Sequence, residues 1–449
     1  MPEQMDRGIS PPPTKRRKLH LPAAGSNPDP MRIPGPRSIR IFSWNINGIE
    51  PYLPSSFSSS SHKITSFFKP SSRQDTKPKQ PRKTTSAAGP NEANASTSSS
   101  LRAFLARHNW PEVLFLQELK IAPANASKAM SALLSALNTP LPTENGGNNT
   151  TTTTTPDDDD CRAYQVDAVL PRDRYNARGF GGRLYGVATI LRKDFAREQV
   201  ACVRGVEWDL EGRVSVVELS PTDHTTTTTT SSSGIPNGGQ EPEGKPKPLA
   251  LINLYAVNGT SAPYRDPMTG AVIGTRHDHK LAFHTRLRDE CLELEEKGFR
   301  VVVAGDVNVA RGWRDGWPGL RSFPRQHCVN RADFNRKFFG GEDNRRAEAY
   351  VEGKLGREEE RERCLDAVDV FRAMHGGERR YTYYPRTREW GSSCDRVDLI
   401  LVSKALWEEG RVLNTGILDT PQERGLSDHV PLWVEIALEK PSDGAKTVK

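Results

Sequence analysis

Cysteine is scarce: the 449 residues contain six, Cys161, Cys202, Cys291, Cys328, Cys364 and Cys394, with no Cys-x-x-Cys spacing. That excludes a thiolate zinc site and a disulfide framework, and it fits a reducing compartment. Long apolar runs are missing as well. None approaches the ~20 residues of a membrane helix, so a soluble protein with no membrane partner is expected. Hydrophobic residues reach only 35%, because Ser/Thr/Pro/Asn tracts dilute a chain that otherwise looks globular. The expected organisation is a basic, Pro-rich leader (1–37), a single domain (38–440) and a disordered tail (441–449). Disordered insertions are expected at about 52–99, 139–160 and 220–247. Acidic residues are outnumbered by basic ones, 56 against 63, for a net charge of +7. The balance favours an anionic partner such as nucleic acid.

What the chain does have is apolar strands that end in polar side chains. Val301–Ala310 reads VVVAGDVNVA, a buried strand delivering Asp306 and Asn308 to its rim. On an extended strand the two would share a face. Taken alone, an Asp capping the following turn and an Asn bonding backbone explain such a pair. The pattern recurs, however. Ser38–Ser43 alternates as a half-buried strand and runs into Trp44-Asn45-Ile46-Asn47. Val113–Leu116 is fully apolar and leads to Glu118. Leu249–Tyr255 leads to Tyr255 and Asn258, and Leu399–Val402 is preceded by Asp398. Asp428 and His429 lie just before a closing strand. A helix is predicted near 101–110, stopped by Pro111, with others near 126–137 and over about 276–297. The stretch 311–363 is rich in Arg with interleaved Trp313, Trp317, Phe323, Phe334, Phe338 and Phe339. It reads equally as a phosphate- and base-binding surface or as a basic loop held down by aromatics.

Two short segments outside the predicted elements suggest partners. Lys15-Arg16-Arg17-Lys18 after three prolines reads as a nuclear localisation signal, which places the protein in the nucleus. In the insertion at 52–99, Ile64 precedes the ring pair Phe67 and Phe68, an apolar anchor suited to docking as a short helical turn. Its spacing resembles the motif that binds the replication sliding clamp, with Ser61 where that motif has Gln.

The polar residues at strand ends are carboxylates and carboxamides with one Tyr and one His, and no thiolate. Such a hard-oxygen set selects Mg²⁺, with Mn²⁺ as the alternative, and leaves positions open for water and a phosphate oxygen.

SWNING, LFLQELK, LEGRV, LYAVN, VVAGDVNVA, RVDLILVS and SDHVPL occur in that order. They resemble the motifs of the endonuclease/exonuclease/phosphatase superfamily, most closely its exonuclease III-type apurinic/apyrimidinic endonuclease branch. The resemblance is scattered over most of 38–437. It implies a four-layer α/β sandwich, two packed mixed β-sheets flanked by helices, of the DNase I-like kind. It also implies a Mg²⁺-dependent DNA repair nuclease acting at abasic sites or blocked 3′ ends. Glu118 would be the principal metal ligand, with Asn45, Asn47 and Asp428 completing or supporting the site. Asp306 would orient or deprotonate the attacking water, and Asn308 would hold that water or a phosphate oxygen. Tyr255 would donate to the phosphate or act as phenolate, Asn258 would contact it, and His429 would face a phosphate oxygen with Asp398 as partner. The sequence departs from the branch where GWRxD is expected. Asp395 stands in place of the Trp that packs on the abasic sugar, and an Asp cannot replace an indole as an apolar wall. Tyr383 and Tyr384 are candidates for another substrate-binding wall. Two rival readings remain. One is a phosphodiesterase or phosphatase of the same fold acting on RNA, a phosphoinositide or a tyrosyl-DNA linkage, and the other is a catalytically weak clamp- or DNA-binding adaptor.

Overall fold

Alternation along Ser38–Asn45 (β1) decides which way its sheet faces: Ile39 and Ile41 enter one apolar cluster, Phe42 and Trp44 another. The computed structural model describes residues 37–54, 57, 100–141, 162–177, 179–221, 246–339 and 363–439. Most of the three expected insertions, the basic cluster at 15–18 and Ile64, Phe67 and Phe68 lie outside the described residues. After β1 come α1 (Leu101–Arg107), β2 (Val113–Gln117), α2 (Ala126–Asn138), β3 (Tyr164–Val169), β4 (Val187–Arg192), α3 (Lys193–Gln199), β5 (Val200–Gly205) and β6 (Val214–Leu219). The middle of the chain forms β7 (Leu249–Tyr255), β8 (Pro263–Arg265), β9 (Val272–Thr275), α4 (Arg276–Glu296), β10 (Arg300–Asp306), β11 (Gly316–Trp317) and α5 (Gln326–Phe338). The last third contributes β12 (Ala367–Asp369), α6 (Val370–His375), β13 (Cys394–Asp395), β14 (Asp398–Ser403), α7 (Lys404–Glu408), β15 (Val412–Ile417), α8 (Pro421–Arg424) and β16 (Leu432–Ala437).

Two six-stranded sheets result, in the orders β15-β16-β1-β2-β4-β3 and β12-β14-β10-β7-β6-β5. Both are mixed: β1 runs parallel to β2 and β10 parallel to β7, while β1–β16 and β10–β14 are antiparallel. Ile41, Val113 and Phe115 of the first sheet share one buried cluster with Val217, Leu251 and Val302 of the second. That shared cluster is the inter-sheet core. The outer face of the first sheet packs Trp44 and Leu116 against Phe104 of α1 and Leu133 of α2. The outer face of the second packs Val301 and Val303 against Leu287 and Leu294 of α4 and Phe334 of α5. The architecture is thus the expected four-layer α/β sandwich. No described helix is long and apolar enough to cross a membrane.

Several polar groups trapped between the sheets are paired across them. Gln117 donates to Ser43 Oγ at 3.0 Å and to Asn253 Oδ1 at 2.8 Å, linking β1, β2 and β7. Such bonds specify one relative placement of the sheets, because a shifted placement would leave buried polar atoms unmatched.

Register brings the strand ends together. Along β10, Asp306 lies opposite Tyr255 of β7 on one side and opposite Asp398 of β14 on the other. The approach of β7 to β10 depends on Gly305, whose φ is +151°. A Cβ there would stand 1.9 Å from the Leu254 carbonyl oxygen.

Candidate active site

Asp306 ends β10 fully enclosed, and three N–H groups address its carboxylate. Asn45 Nδ2 donates to Oδ2 at 3.0 Å, Asn308 N–H to Oδ1 at 2.8 Å, and Asn308 Nδ2 to Oδ2 at 3.2 Å. The pair does share one space, but not through strand alternation. The strand stops at Asp306, and Asn308 has a left-handed backbone, φ +55°, that folds its carboxamide back. Its Nδ2 also reaches the Ala256 carbonyl at 3.0 Å. The turn-capping and backbone-bonding roles open to a lone Asp-x-Asn are therefore both filled, in the same residues that meet at the cleft.

Glu118 and Asn47 are set by the same device. Each follows a strand of the first sheet and adopts positive φ, +56° and +54°. This is a conformation that Asn tolerates and Glu rarely adopts. Glu118 accepts from Tyr255 OH at 2.5 Å and pairs with Lys120 at 2.7 Å. Burial alone would raise the Glu118 pKa, but the Lys120 charge and the Lys120 and Tyr255 hydrogen bonds lower it, so it is a carboxylate. Tyr255 moves the other way. Burial first, and then the Glu118 charge, push its phenol well above the ordinary value. That environment favours the protonated phenol, the donor role, over the phenolate one. Arg213 lies over its ring at 4.7 Å.

Asn47 Nδ2 donates to Asp428 Oδ1 at 2.7 Å, and Lys120 donates to Asn47 Oδ1. Ser427 ties the last motif to β1, giving its hydroxyl to the Asn45 carbonyl at 2.6 Å and accepting the His429 N–H at 3.0 Å. His429 Nδ1 lies 2.7 Å from Asp398 Oδ2. Burial by itself would lower the imidazole pKa, yet the Asp398 carboxylate raises it to about 10. His429 is therefore cationic, Nδ1 is taken, and Nε2 is left for a ligand. Burial, then the Asp398 charge, raises the Asp306 pKa.

These side chains meet around a cleft of about 260 Å³. Of the residues expected from sequence, Glu118, Asn258, Asp306, Asn308, Tyr383, Asp428 and His429 line it. Asn45, Asn47, Tyr255 and Asp398 stand behind that lining and hold it through the bonds above. Tyr384 is elsewhere: it is buried in the inter-sheet core and stacked on Trp390 at 3.8 Å, so it forms no wall of the cleft. Aromatic packing in the core outcompetes exposure for the second of two adjacent tyrosines, because neighbours on an extended segment face opposite ways. Asp395 does border the cleft, and it is paired, with Arg321 at 2.8 Å. The aromatics of 311–339 divide. Phe334 and Phe338 are core, whereas Trp313 and Phe323 are 62% and 89% exposed.

The sequence reading missed Lys280, Arg321, His327 and Arg331, which also line the cleft. Lys280 had a signal, since it shares the buried face of α4 with His277, His284, Leu287, Cys291 and Leu294. Its ammonium donates to the Asn308 carbonyl at 2.9 Å, and burial brings its pKa down to about 7.

The donors fit a hard divalent cation. Glu118, Asp306 and Asp428 bring carboxylates to one cleft, and burial, then the charges of Asp398 and Glu118, leave Asp306 with a raised pKa that a cation would relieve. Asp306, Asp398 and His429 place donor atoms within 4.8 Å of one another. The cleft carboxylates and this buried cluster are the two donor sets that could hold the ion.

The profile of the Endonuclease/Exonuclease/phosphatase family matches residues 42–429. No curated protein matches the chain. Among solved structures, the chain is similar to the Xenopus laevis APE2 catalytic domain, with 16% identity over 91% of this chain and 94% of that one and a TM-score of 0.49. It is also similar to the AP endonuclease LMAP from Leishmania major (16% identity, 89% of this chain and 88% of that one, TM-score 0.48). The 3′ phosphatase NExo from Neisseria, bound to a product DNA hairpin, is a third (16% identity, 89% and 99%, TM-score 0.44).

Proposed function

The chain belongs to the Endonuclease/Exonuclease/phosphatase family, and from that premise we propose that it is a Mg²⁺-dependent nuclease of DNA repair. Its reaction would be hydrolysis of a phosphodiester at an abasic site or a blocked 3′ end. The observation that carries this reading is the convergence on one cleft of a hydrogen-bonded Asp306, a cationic His429 held by Asp398, and Glu118.

In this mechanism Asp306, oriented by Asn45 and Asn308, accepts the proton of the attacking water. A carboxylate with a raised pKa suits that exchange near neutral pH. The water oxygen forms the new bond to phosphorus while the bond to the leaving ester oxygen breaks. His429 Nε2–H faces a non-bridging oxygen and stabilises the charge that grows there, its own charge held by Asp398. Tyr255 keeps its proton and orients Glu118. Asn258 and the Tyr383 ring, 5.1 Å from the His429 ring, border the substrate. Glu118, Asp428 and Asn47 would hold Mg²⁺ or Mn²⁺, which supplies positive charge to a phosphate oxygen.

The test is incubation of the full-length protein with an abasic-site duplex and a 3′-blocked duplex, in Mg²⁺ or in EDTA. Metal-dependent product on either supports the reading, and its absence on both rejects it. Asp306→Asn is expected to abolish turnover and leave DNA binding intact, which would separate an enzyme from an adaptor. Nuclear location through Lys15–Lys18 and clamp binding through Ile64, Phe67 and Phe68 are further proposals, on residues outside the described set. A peptide spanning 59–71 tests the second: it should bind the sliding clamp and lose binding on Phe67→Ala with Phe68→Ala.

A further inference from the structure

The cleft carries basic groups that the proposed reaction at the scissile phosphate does not use. Beyond His429, it is lined by Lys280, Arg321, Arg331 and His327. Arg321 and Arg331 are permanent cations, and an anion in the cleft would hold Lys280 in its charged form too. Of the cleft's carboxylates, Glu118, Asp306 and Asp428 belong to the reaction centre, and Asp395 is the one paired with Arg321.

Their arrangement is built rather than incidental. Lys280 is 2% exposed, and its ammonium spends one N–H on the Asn308 carbonyl. An ammonium has three, so two remain for a ligand in the cleft. Arg331 clamps the loop, with Nε donating to the Ala310 carbonyl and Nη2 to the Arg321 carbonyl, both at 2.7 Å. That clamp fixes the backbone from which Arg321 projects. The Arg321 side chain is half exposed and is held at its tip by the buried Asp395, beside the Tyr383 ring. One side of its guanidinium is thereby committed, and the fork keeps further N–H groups for an anion.

We propose that Arg321, positioned by Asp395 and backed by Lys280 and Arg331, forms a second phosphate subsite that takes the phosphate adjoining the scissile one on the same strand. The proposal rests on the nuclease reading above and deepens it. The recess beside the reaction centre recognises the charged backbone of a neighbouring nucleotide rather than an apolar sugar face. Asp395 is a positioning residue that stops Arg321 from swinging into solvent.

Neutral-backbone substrates provide the test. Three duplexes are compared: one all-phosphate, one with a methylphosphonate immediately 5′ of the cleaved bond, and one with it immediately 3′. The full-length protein should lose about tenfold in kcat/KM on one of the two modified duplexes, and which one identifies the neighbour bound. Arg321→Gln should lose about tenfold on the all-phosphate duplex and nothing further on that modified duplex, with Arg321→Lys partly restoring the loss. Asp395→Asn should show the same non-additivity in weaker form, whereas a merely structural role would lower all three duplexes alike. Equal methylphosphonate penalties in wild type and Arg321→Gln would overturn the proposal. If no duplex is cut, the nuclease reading fails, and the subsite is then judged by binding alone. Arg321→Gln should reduce the slope of log K against log salt by about 1, and identical slopes would reject it.

Discussion

The imidazole of His429 and the carboxylate of Asp398 meet across 2.7 Å, both side chains buried, at the ends of segments 31 residues apart in sequence. A buried imidazolium without that carboxylate would lose its charge. His429→Asn should lower kcat by about 10²- to 10³-fold, and Asp398→Asn should approach it because the ring then becomes neutral. Single-turnover cleavage, with circular dichroism to confirm folding, checks both.

Tyr255 touches Glu118 rather than lining the cleft, so under the proposed function its hydroxyl acts through a residue that would hold the metal. Tyr255→Phe should weaken Mg²⁺ activation by about 10- to 100-fold in apparent affinity, with activity recovering at high Mg²⁺. A titration of rate against Mg²⁺ concentration decides; a loss of rate that excess metal does not reverse would count against this role.

Beneath Asp395 lies a buried ionic network. Arg396 donates to both oxygens of Asp369, at 3.0 and 2.8 Å, and to Asp315 at 2.8 Å, while Arg311 reaches Asp369 at 2.9 Å. Burial would raise the Asp369 pKa, but the two arginines hold it well below its ordinary 3.8. A depressed folded-state pKa contributes stability that is present above the unfolded value and lost as pH falls through the folded one. Asp369→Asn should therefore cost about 3–5 kcal/mol at pH 7, where it strands buried guanidinium groups. The gap to wild type should narrow below about pH 4. Urea melts at pH 7 and pH 3 measure the difference.

Gly305→Ala would put a methyl group 1.9 Å from the Leu254 carbonyl oxygen. The strands must separate to admit it, and a loss of about 3 kcal/mol is expected. Because Asp306 and Tyr255 share this register, activity should fall further than the folded fraction does, as denaturant midpoints set beside specific activity would reveal.

The parts of the fold legible in the sequence are those whose burial leaves an unbroken apolar run or a helical period. Val113–Leu116 and Leu249–Tyr255 are apolar almost without interruption because both their faces are covered, and they appear as β2 and β7. The long helix predicted at about 276–297 is α4, Arg276–Glu296. Elements with exposed faces carry no such period. The hairpin of β8 and β9 presents Val272 and Ile273 to solvent, and β15 contains Asn414, Thr415 and Gly416. In the site, the polar residues at strand ends could be found because an apolar strand makes its terminal carboxylate conspicuous. Arg321 could not, since one arginine among many in 311–363 is singled out only by Asp395, far along the chain.

Left-handed backbone at Asn47, Glu118 and Asn308 has a consequence for how the protein could change. Asn is at ease in that conformation, so at 47 and 308 a selection for foldedness and one for turnover would keep the same residue. At 118 they would part. Glycine there relieves about 1 kcal/mol of strain while removing the carboxylate. A library screened only for thermal resistance should accordingly accumulate Glu118→Gly and emerge sturdier and inactive, a trade that neither Asn47 nor Asn308 presents.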